Sequence, residues 1–107
     1  MEEHEVVAAV TCHLIINKRA EVSKISIQKI EQERYIKNFL LGKGVEQSII
    51  DNISFKRKEE DIIAHLKWNT GRRQKYVEVE AKGGNTFYNF YTSLGQFICL
   101  KKSPSTY

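Results

Sequence analysis

The stretch DIIAHLKWNTGRRQKYVEVEAK, residues 61–82, decides the fold. Its two ends, residues 61–68 and 75–82, are rich in β-branched and aromatic residues, which favour strands. Between them lies Asn-Thr-Gly-Arg-Arg-Gln, residues 69–74, which has the composition of a turn. The stretch therefore predicts a β-hairpin.

Alternation along the second predicted strand separates an apolar face from a charged one, because successive side chains of a strand point to opposite faces. The apolar set is Val77, Val79 and Ala81, and the charged set is Glu78, Glu80 and Lys82. With the turn centred near Thr70 and Gly71, residue 61 lies opposite residue 80, and Asp61 faces Glu80. A register shift of one residue would put Asp61 on the wrong face.

Outside the hairpin, the periodicity of apolar residues predicts four helices and one strand. The expected helices cover residues 3–17, 29–41, 45–53 and 86–101, and the expected strand covers residues 21–28. The order is therefore helix, strand, two helices, hairpin and helix. This order predicts a single α/β domain in which the first and last helices cover the sheet.

The composition is that of one ordinary globular domain of 107 residues, with a net charge of +4. A mild positive charge is compatible with a polyanionic partner. Cys12 and Cys99 fall in apolar segments without metal-ligand spacing, so we expect buried free thiols and a cytoplasmic, reducing location. No signal peptide and no apolar run of roughly 20 residues is visible, so no membrane association is expected.

The two facing carboxylates predict a metal site. Cβ atoms of directly opposed residues are about 4.5–5.5 Å apart, and like charges at that distance repel unless something compensates them. A divalent cation such as Mg²⁺ would compensate Asp61 and Glu80, because it prefers oxygen ligands. Lys82 would offset part of the repulsion and help to place a nucleophilic water.

The arrangement of Asp61, a hairpin and then Glu80-Ala81-Lys82 resembles the central motif of the PD-(D/E)XK nuclease superfamily. Gln96 resembles a glutamine often found in the following helix of restriction-like members. Glu5 is the best match to an acidic residue of the first helix, and Glu2 or Glu3 could substitute for it.

The resemblance implies a restriction-endonuclease-like core that spans residues 1–107, with a helical insertion at about residues 29–55. The sequence departs from the family pattern in three places. Glu60 stands where the family usually has proline, the insertion precedes the hairpin, and the chain ends at Tyr107 where another strand usually follows. We therefore expect the last strand to be missing or to be supplied by a partner subunit.

The resemblance also implies metal-dependent hydrolysis of DNA phosphodiester bonds by an endonuclease. Asp61 and Glu80 would bind Mg²⁺ (or Mn²⁺), helped by the backbone carbonyl after Glu80, and Lys82 would orient the attacking water. Glu5 would hold a second metal or position a metal-bound water, and Gln96 would orient a neighbour or a phosphate oxygen. By analogy with enzymes that cut both strands, a homodimer is expected.

Two basic clusters are candidates for binding nucleic acid, since lysine and arginine neutralise phosphates without reading sequence. They are Lys56, Arg57 and Lys58 before the hairpin, and Arg72, Arg73 and Lys75 at its tip. The alternative for both clusters is a solvated surface. His65 shares a face with Asp61, where a plain half-buried histidine is favoured over a ligand.

An alternative function keeps the same fold without catalysis. The chain would then be a nucleic-acid-binding or control subunit of a restriction or DNA-rearrangement system.

Overall fold

The computed structural model describes residues 2–58, 61–82, 85–91 and 97–102, with side chains described up to Ala81. These residues form an α/β fold of helices and one mixed sheet. In chain order the elements are α1 (Glu3–Lys18), β1 (Glu21–Ile27), α2 (Ile30–Gly42), α3 (Gln47–Asp51), β2 (Ser54–Arg57), β3 (Ile63–Thr70), β4 (Arg73–Lys82), β5 (Asn85–Tyr91) and β6 (Phe97–Lys102).

The strands lie in the order β2-β1-β3-β4-β5-β6. β1 and β2 pair in parallel, and every other neighbouring pair is antiparallel. Parallel strands need a long crossover between them, and α2 and α3 supply it. The strands from β3 onward follow one another as antiparallel neighbours, so short turns are enough to connect them.

The helices pack on one face of the sheet. Val6, Val7 and Val10 of α1 are buried in the same apolar cluster as Val77 and Val79 of β4. The cluster also takes Ile36 and Leu40 from α2, Ile50 from α3, Ile25 and Ile27 from β1, and Ala64, Leu66 and Trp68 from β3. On β3 and β4 every second residue belongs to this cluster, so the core lies between the helices and a single face of the sheet.

Local chemistry sets the ends of the helices. Glu3 and Glu5 lie in the first turn of α1 and Lys18 in its last turn, where each charge complements the helix dipole. Arg19 ends α1 in the left-handed conformation, with φ of 52°, and its backbone N–H donates to the carbonyl of Leu14. At the start of α2, the side-chain oxygen of Gln32 accepts hydrogen bonds from two backbone N–H groups, at 2.8 and 3.0 Å.

Most elements predicted from the sequence are confirmed. The first helix, the strand after it, the helical pair and the hairpin all lie within a few residues of their expected bounds. The short strand β2 was not predicted, and the expected second short helix ends before it. Ser54–Arg57 carries three polar residues out of four, so its sequence gives little strand signal.

The predicted helix over residues 86–101 is wrong. Asn85–Tyr91 and Phe97–Lys102 are strands that pair with each other, and Asn85–Tyr91 also pairs with β4. Aromatic residues spaced three and four apart suggested a helical stripe, but aromatic residues also favour strands. In so short a run the periodicity does not separate the two structures, and pairing with the long strand β4 favours the extended one.

Within the part of the chain that the structure describes, no helix is both long and apolar enough to cross a membrane.

Candidate functional site

The β3–β4 hairpin places the candidate carboxylates. Its ladder runs from the pair Thr70↔Arg73 beside the turn to the pair Ile63↔Glu80 at the other end. Gly71 and Arg72 form the turn, and Gly71 has φ of +60°. A positive φ at the first central residue is typical of a type II′ turn, which suits the twist of a two-residue hairpin.

The predicted pairing of Asp61 with Glu80 is wrong. Ile63 lies opposite Glu80, because the turn is centred between Gly71 and Arg72, one residue later than expected. Asp61 therefore precedes the first residue of β3. The pairing has shifted by two residues, and an even shift preserves the face to which each side chain belongs.

Asp61 and Glu80 consequently lie at the same end of the hairpin, away from the turn. Glu80 is near the end of β4, and its cross-strand partner is Ile63. Asp61 comes two residues before Ile63. Both carboxylate residues are half-buried. Alternation along β4 puts Glu80 on the side of the sheet that does not carry the apolar cluster, whereas Asp61 precedes β3, so the alternation of that strand does not assign its face.

We call this side the open face, and it is the face that carries most of the sheet's polar residues. Its members on the four strands from β2 to β4 are Lys56, Lys24, Ser26, Ile63, His65, Lys67, Tyr76, Glu78 and Glu80, assigned by the ladder pairings and by alternation. The burial pattern agrees, because Ala64, Leu66, Val77 and Val79 between them are buried in the core.

His65 and Glu78 lie side by side at the middle of the open face. Nδ1 of His65 lies 3.6 Å from a carboxylate oxygen of Glu78, and the two residues are cross-strand partners. Burial lowers the pKa of His65 below its usual value; Glu78 opposes this shift, whereas Lys24 and Lys58 add to it. His65 is therefore set between an acidic neighbour and two basic ones.

A shallow cavity of about 370 Å³ opens beside this pair. Ser23, Lys67 and Tyr76 contribute to its wall together with His65 and Glu78. Ser23 sits at an irregularity of β1, between Val22 and Lys24, and its hydroxyl donates a 3.2 Å hydrogen bond to the carbonyl of His65. Since this hydroxyl is used on the backbone, Ser23 is a structural residue rather than a nucleophile.

The two predicted basic clusters have different positions. Lys56 pairs with Ser26 on the open face, whereas Arg57 pairs with the buried Ile27 and belongs to the other side of the sheet. Lys58 is exposed and follows β2, and its backbone N–H donates to the carbonyl of Ile27 at 2.8 Å.

Arg72, Arg73 and Lys75 lie at the turn end of the hairpin. Arg73 and Glu80 are seven residue steps apart along β4, a distance of about 24 Å at the usual rise per residue. The tip cluster therefore cannot act on the same phosphate as the carboxylates.

The structure does not group Glu5 with the other predicted ligands. Glu5 lies in α1, on the helical side of the sheet. The pKa of Tyr35 in α2 is raised mainly by burial and secondly by the negative charge of Glu5. Lys82 is the last residue of β4, but its side chain lies outside the described part of the structure. Gln96 and Glu60 lie outside the described residues altogether.

Among the side chains that the structure describes, no three His, Cys, Asp or Glu residues lie close enough together to hold a metal ion. A site built on Asp61 and Glu80 would therefore supply two carboxylates. That number is chemically sufficient for Mg²⁺, which commonly uses one or two carboxylates and completes its shell with water and substrate phosphates.

No family model matches the chain, and neither a curated protein nor a solved structure is significantly similar to it. Membership of the PD-(D/E)XK superfamily thus stays a hypothesis based on the motif residues.

Lys24 is a candidate that the sequence did not reveal. Its strand was predicted, but the irregularity at Ser23 interrupts the alternation, so the face of Lys24 could not be assigned from the pattern. The strand β2 that brings Lys56 beside it was not predicted either. Only the assembled sheet shows that these lysines share a face with Glu78 and Glu80.

Proposed function

We propose that this protein is a metal-dependent endonuclease that hydrolyses DNA phosphodiester bonds. The observation that supports this function best is the position of Asp61 and Glu80 at the same end of the β3–β4 hairpin, with Asp61 two residues before Ile63, the cross-strand partner of Glu80. An acidic residue before one strand and a Glu-x-Lys triplet at the end of the next is the pattern of the PD-(D/E)XK nucleases. The proposal includes the fold: β1, β3 and β4 would correspond to strands of a restriction-endonuclease-like core.

In the proposed mechanism, Asp61 and Glu80 would hold Mg²⁺ or Mn²⁺. When bound, the ion would polarise the scissile phosphate and lower the pKa of a water molecule. Lys82 would orient that water and stabilise the charge that develops on the phosphate. The backbone carbonyl at Ala81 would be available as a further oxygen donor, and the half-buried position of both carboxylates would limit competing solvent.

The test compares Asp61→Asn and Glu80→Gln with Glu78→Gln. Glu78 is the matched control because it lies on the same strand and the same face, two residues from Glu80. Mn²⁺ binding is measured by calorimetry, and cleavage is measured on supercoiled, linear and branched DNA. We expect the first two variants to lose metal binding and to slow cleavage by about 100-fold or more, because bound metal supplies several kcal/mol of transition-state stabilisation. Equal loss in Glu78→Gln would count against the assignment.

A second candidate is a non-catalytic nucleic-acid-binding or control subunit. Lys24, Lys56 and Lys58 favour it, because their positions beside the open face do not depend on a metal. DNA binding that survives Glu80→Gln and needs no metal, in a protein that cuts no DNA, would support this candidate over the nuclease.

We also propose that the chain works as a homodimer or with a partner subunit that extends the sheet. β2 and β6 are the edge strands of the described sheet, and an edge strand presents unpaired backbone groups to another chain. Light scattering after size-exclusion chromatography would measure the mass of the particle in solution. A mass of 12.4 kDa, that of one chain, would refute the homodimer.

A further inference from the structure

Apart from Glu21 and Lys67, which form an ion pair with each other nearer the turn of the hairpin, the charges of the open face are sorted by strand. The basic residues Lys56 and Lys24 lie on β2 and β1, at one side of the sheet. The acidic residues Glu78 and Glu80 lie on β4, with β3 between the two groups. The face therefore changes from positive to negative along the direction that crosses the strands.

Two rows of paired residues carry this change. One row runs from Lys24 through His65 to Glu78, and the other runs from Lys56 through Ser26 and Ile63 to Glu80. Neighbouring strands are about 4.8 Å apart, so Lys24 lies about 10 Å from Glu78 and Lys56 about 14 Å from Glu80 at the level of the backbone. Long side chains can bridge part of such separations, but no ion pair among the described residues includes either lysine, so both are available to a ligand.

The occupant that fits this spacing is a phosphodiester backbone. Phosphates of one DNA strand are about 3.4 Å apart along the duplex axis and further apart along the strand itself, so a span of about 10 to 14 Å covers about two or three of them. With one phosphate at Asp61 and Glu80, the next would lie above Ile63 and the buried Ser26, and a third would lie beside the lysines. The acidic end would need a cation to accept a phosphate, whereas the basic end would not.

We propose that the open face is a track for one nucleic-acid strand, which crosses the sheet from β4 towards β2 with Lys24 and Lys56 holding phosphates further along the strand from the one addressed by Asp61 and Glu80. This inference rests on the proposed function, since it takes the phosphate at the carboxylates as its fixed point. Lys58 lies close enough to the same face to lower the pKa of His65 and would add a further positive charge to the track.

The track makes Lys24 a binding residue and excludes two residues of the predicted clusters from it. Arg57 belongs to the core side of β2, and Arg73 lies at the far end of the hairpin. Both are arginines in basic clusters, so a general attraction between DNA and positive charge would make them as important as Lys24. The track predicts instead that they matter less.

The test measures binding of a fluorescein-labelled DNA 20-mer, single-stranded and as a duplex, and of the same sequence as RNA, by anisotropy in EDTA. The variants are Lys24→Gln and Lys56→Gln, with Lys18→Gln as the matched control. Lys18 is an exposed lysine in the last turn of α1, on the helical side of the protein. We expect each open-face variant to weaken binding and to reduce the slope of log affinity against log salt by about 1, as for the loss of one phosphate contact.

Lys24→Arg should restore binding, because arginine also contacts phosphate, and the DNA and RNA probes identify the strand that the track accepts. Circular dichroism checks the fold of each variant. Should Lys24→Gln not fold, the exposed Lys56 on the short edge strand carries the test. Binding of all three probes that is as strong in Lys24→Gln and Lys56→Gln as in Lys18→Gln would overturn the track.

Because EDTA removes metal, this assay does not depend on cleavage. Lysine-dependent binding in a protein that never cuts DNA would refute the proposed nuclease and keep the track. Cleavage that needs Asp61 and Glu80 but is unchanged in Lys24→Gln and Lys56→Gln would support the proposed nuclease and refute the track.

Discussion

Nδ1 of His65 lies 3.6 Å from Oε1 of Glu78, yet the pKa of His65 is lowered rather than raised. Burial is the largest cause of the lowered pKa. The carboxylate of Glu78 raises the pKa, and the positive charges of Lys24 and Lys58 offset part of that effect. The ring is therefore held mainly in its neutral form between strands β1 and β4. The balance can be tested one group at a time.

Removing Glu78 and removing Lys24 should move the pKa of His65 in opposite directions. Glu78→Gln removes the group that favours the protonated ring, so the pKa should fall further. Lys24→Gln removes a group that disfavours it, so the pKa should rise. Titration followed by NMR of the His65 ring protons measures both shifts. Shifts in the same direction would contradict the arrangement.

The same pKa shift predicts a pH dependence of stability. The unfolded chain takes up a proton on His65 near its ordinary pKa of 6.5, whereas the folded protein does so only at lower pH. The stability that the neutral ring contributes is therefore fully present above pH 6.5 and is lost as the pH falls below that value. Urea denaturation at a series of pH values should show this decrease, and His65→Gln should flatten it in that window.

Two adjacent leucines of α2 should differ sharply in their effect on stability. Leu40 is completely buried in the core, whereas Leu41 is 50% exposed. Leu40→Ala removes apolar contacts and leaves a cavity, so it should lower the free energy of unfolding by about 2–5 kcal/mol. Leu41→Ala should change it by less than about 0.5 kcal/mol. Chemical denaturation measures both, and similar losses would show that α2 packs with another face.

Gly71 and Gly42 should respond in opposite ways to alanine. A Cβ at either position would meet no atom within 4 Å, so the difference lies in the backbone alone. Gly71 has φ of +60°, a conformation that costs an L-residue about 1–2 kcal/mol, and Gly71→Ala should destabilise the hairpin by that amount. Gly42 ends a helix without positive φ, and Gly42→Ala should stabilise it by up to about 1 kcal/mol. Thermal unfolding with the same buffer and scan rate measures both changes.

Cys12 should react slowly with thiol reagents while the protein is folded. The residue is 5% exposed, and burial raises the pKa of its thiol, an effect that Lys43 opposes only in part. The reactive thiolate is therefore both scarce and shielded. Iodoacetamide labelling followed by peptide mass spectrometry should show modification of Cys12 after addition of denaturant and little before it. Labelling at the rate of glutathione in the same tube would contradict this burial.

The sequence predicted the hairpin well because each of its signals is local. The turn composition, the alternation in β4 and the glycine at Gly71 all act within a few residues of one another. The register was missed by two residues, since centring the turn on Thr70 and Gly71 rather than on Gly71 and Arg72 is a small local difference with a large effect on pairing. The even size of that shift leaves the side chains within β3 and β4 on their predicted faces, whereas Asp61 precedes β3.

The elements that failed depend on contacts distant in the sequence. Ser54–Arg57 becomes a strand through pairing with β1, and Asn85–Tyr91 through pairing with β4. Neither partner can be identified from the local pattern. The same is true of Lys24, whose importance follows from the neighbours that β2 and β3 bring to it.

Along β3 and β4, alternate positions should be under different evolutionary constraint. On β4 the odd-numbered residues Val77, Val79 and Ala81 pack against the helices, whereas on β3 the even-numbered residues Ala64, Leu66 and Trp68 do so. A saturation-mutagenesis map scored for folding should therefore show a two-residue rhythm of intolerance whose phase inverts across the turn. Substitutions at the alternate positions, on the open face, should be compatible with folding. A residue that selection nevertheless conserves at one of these positions would be conserved for what it binds.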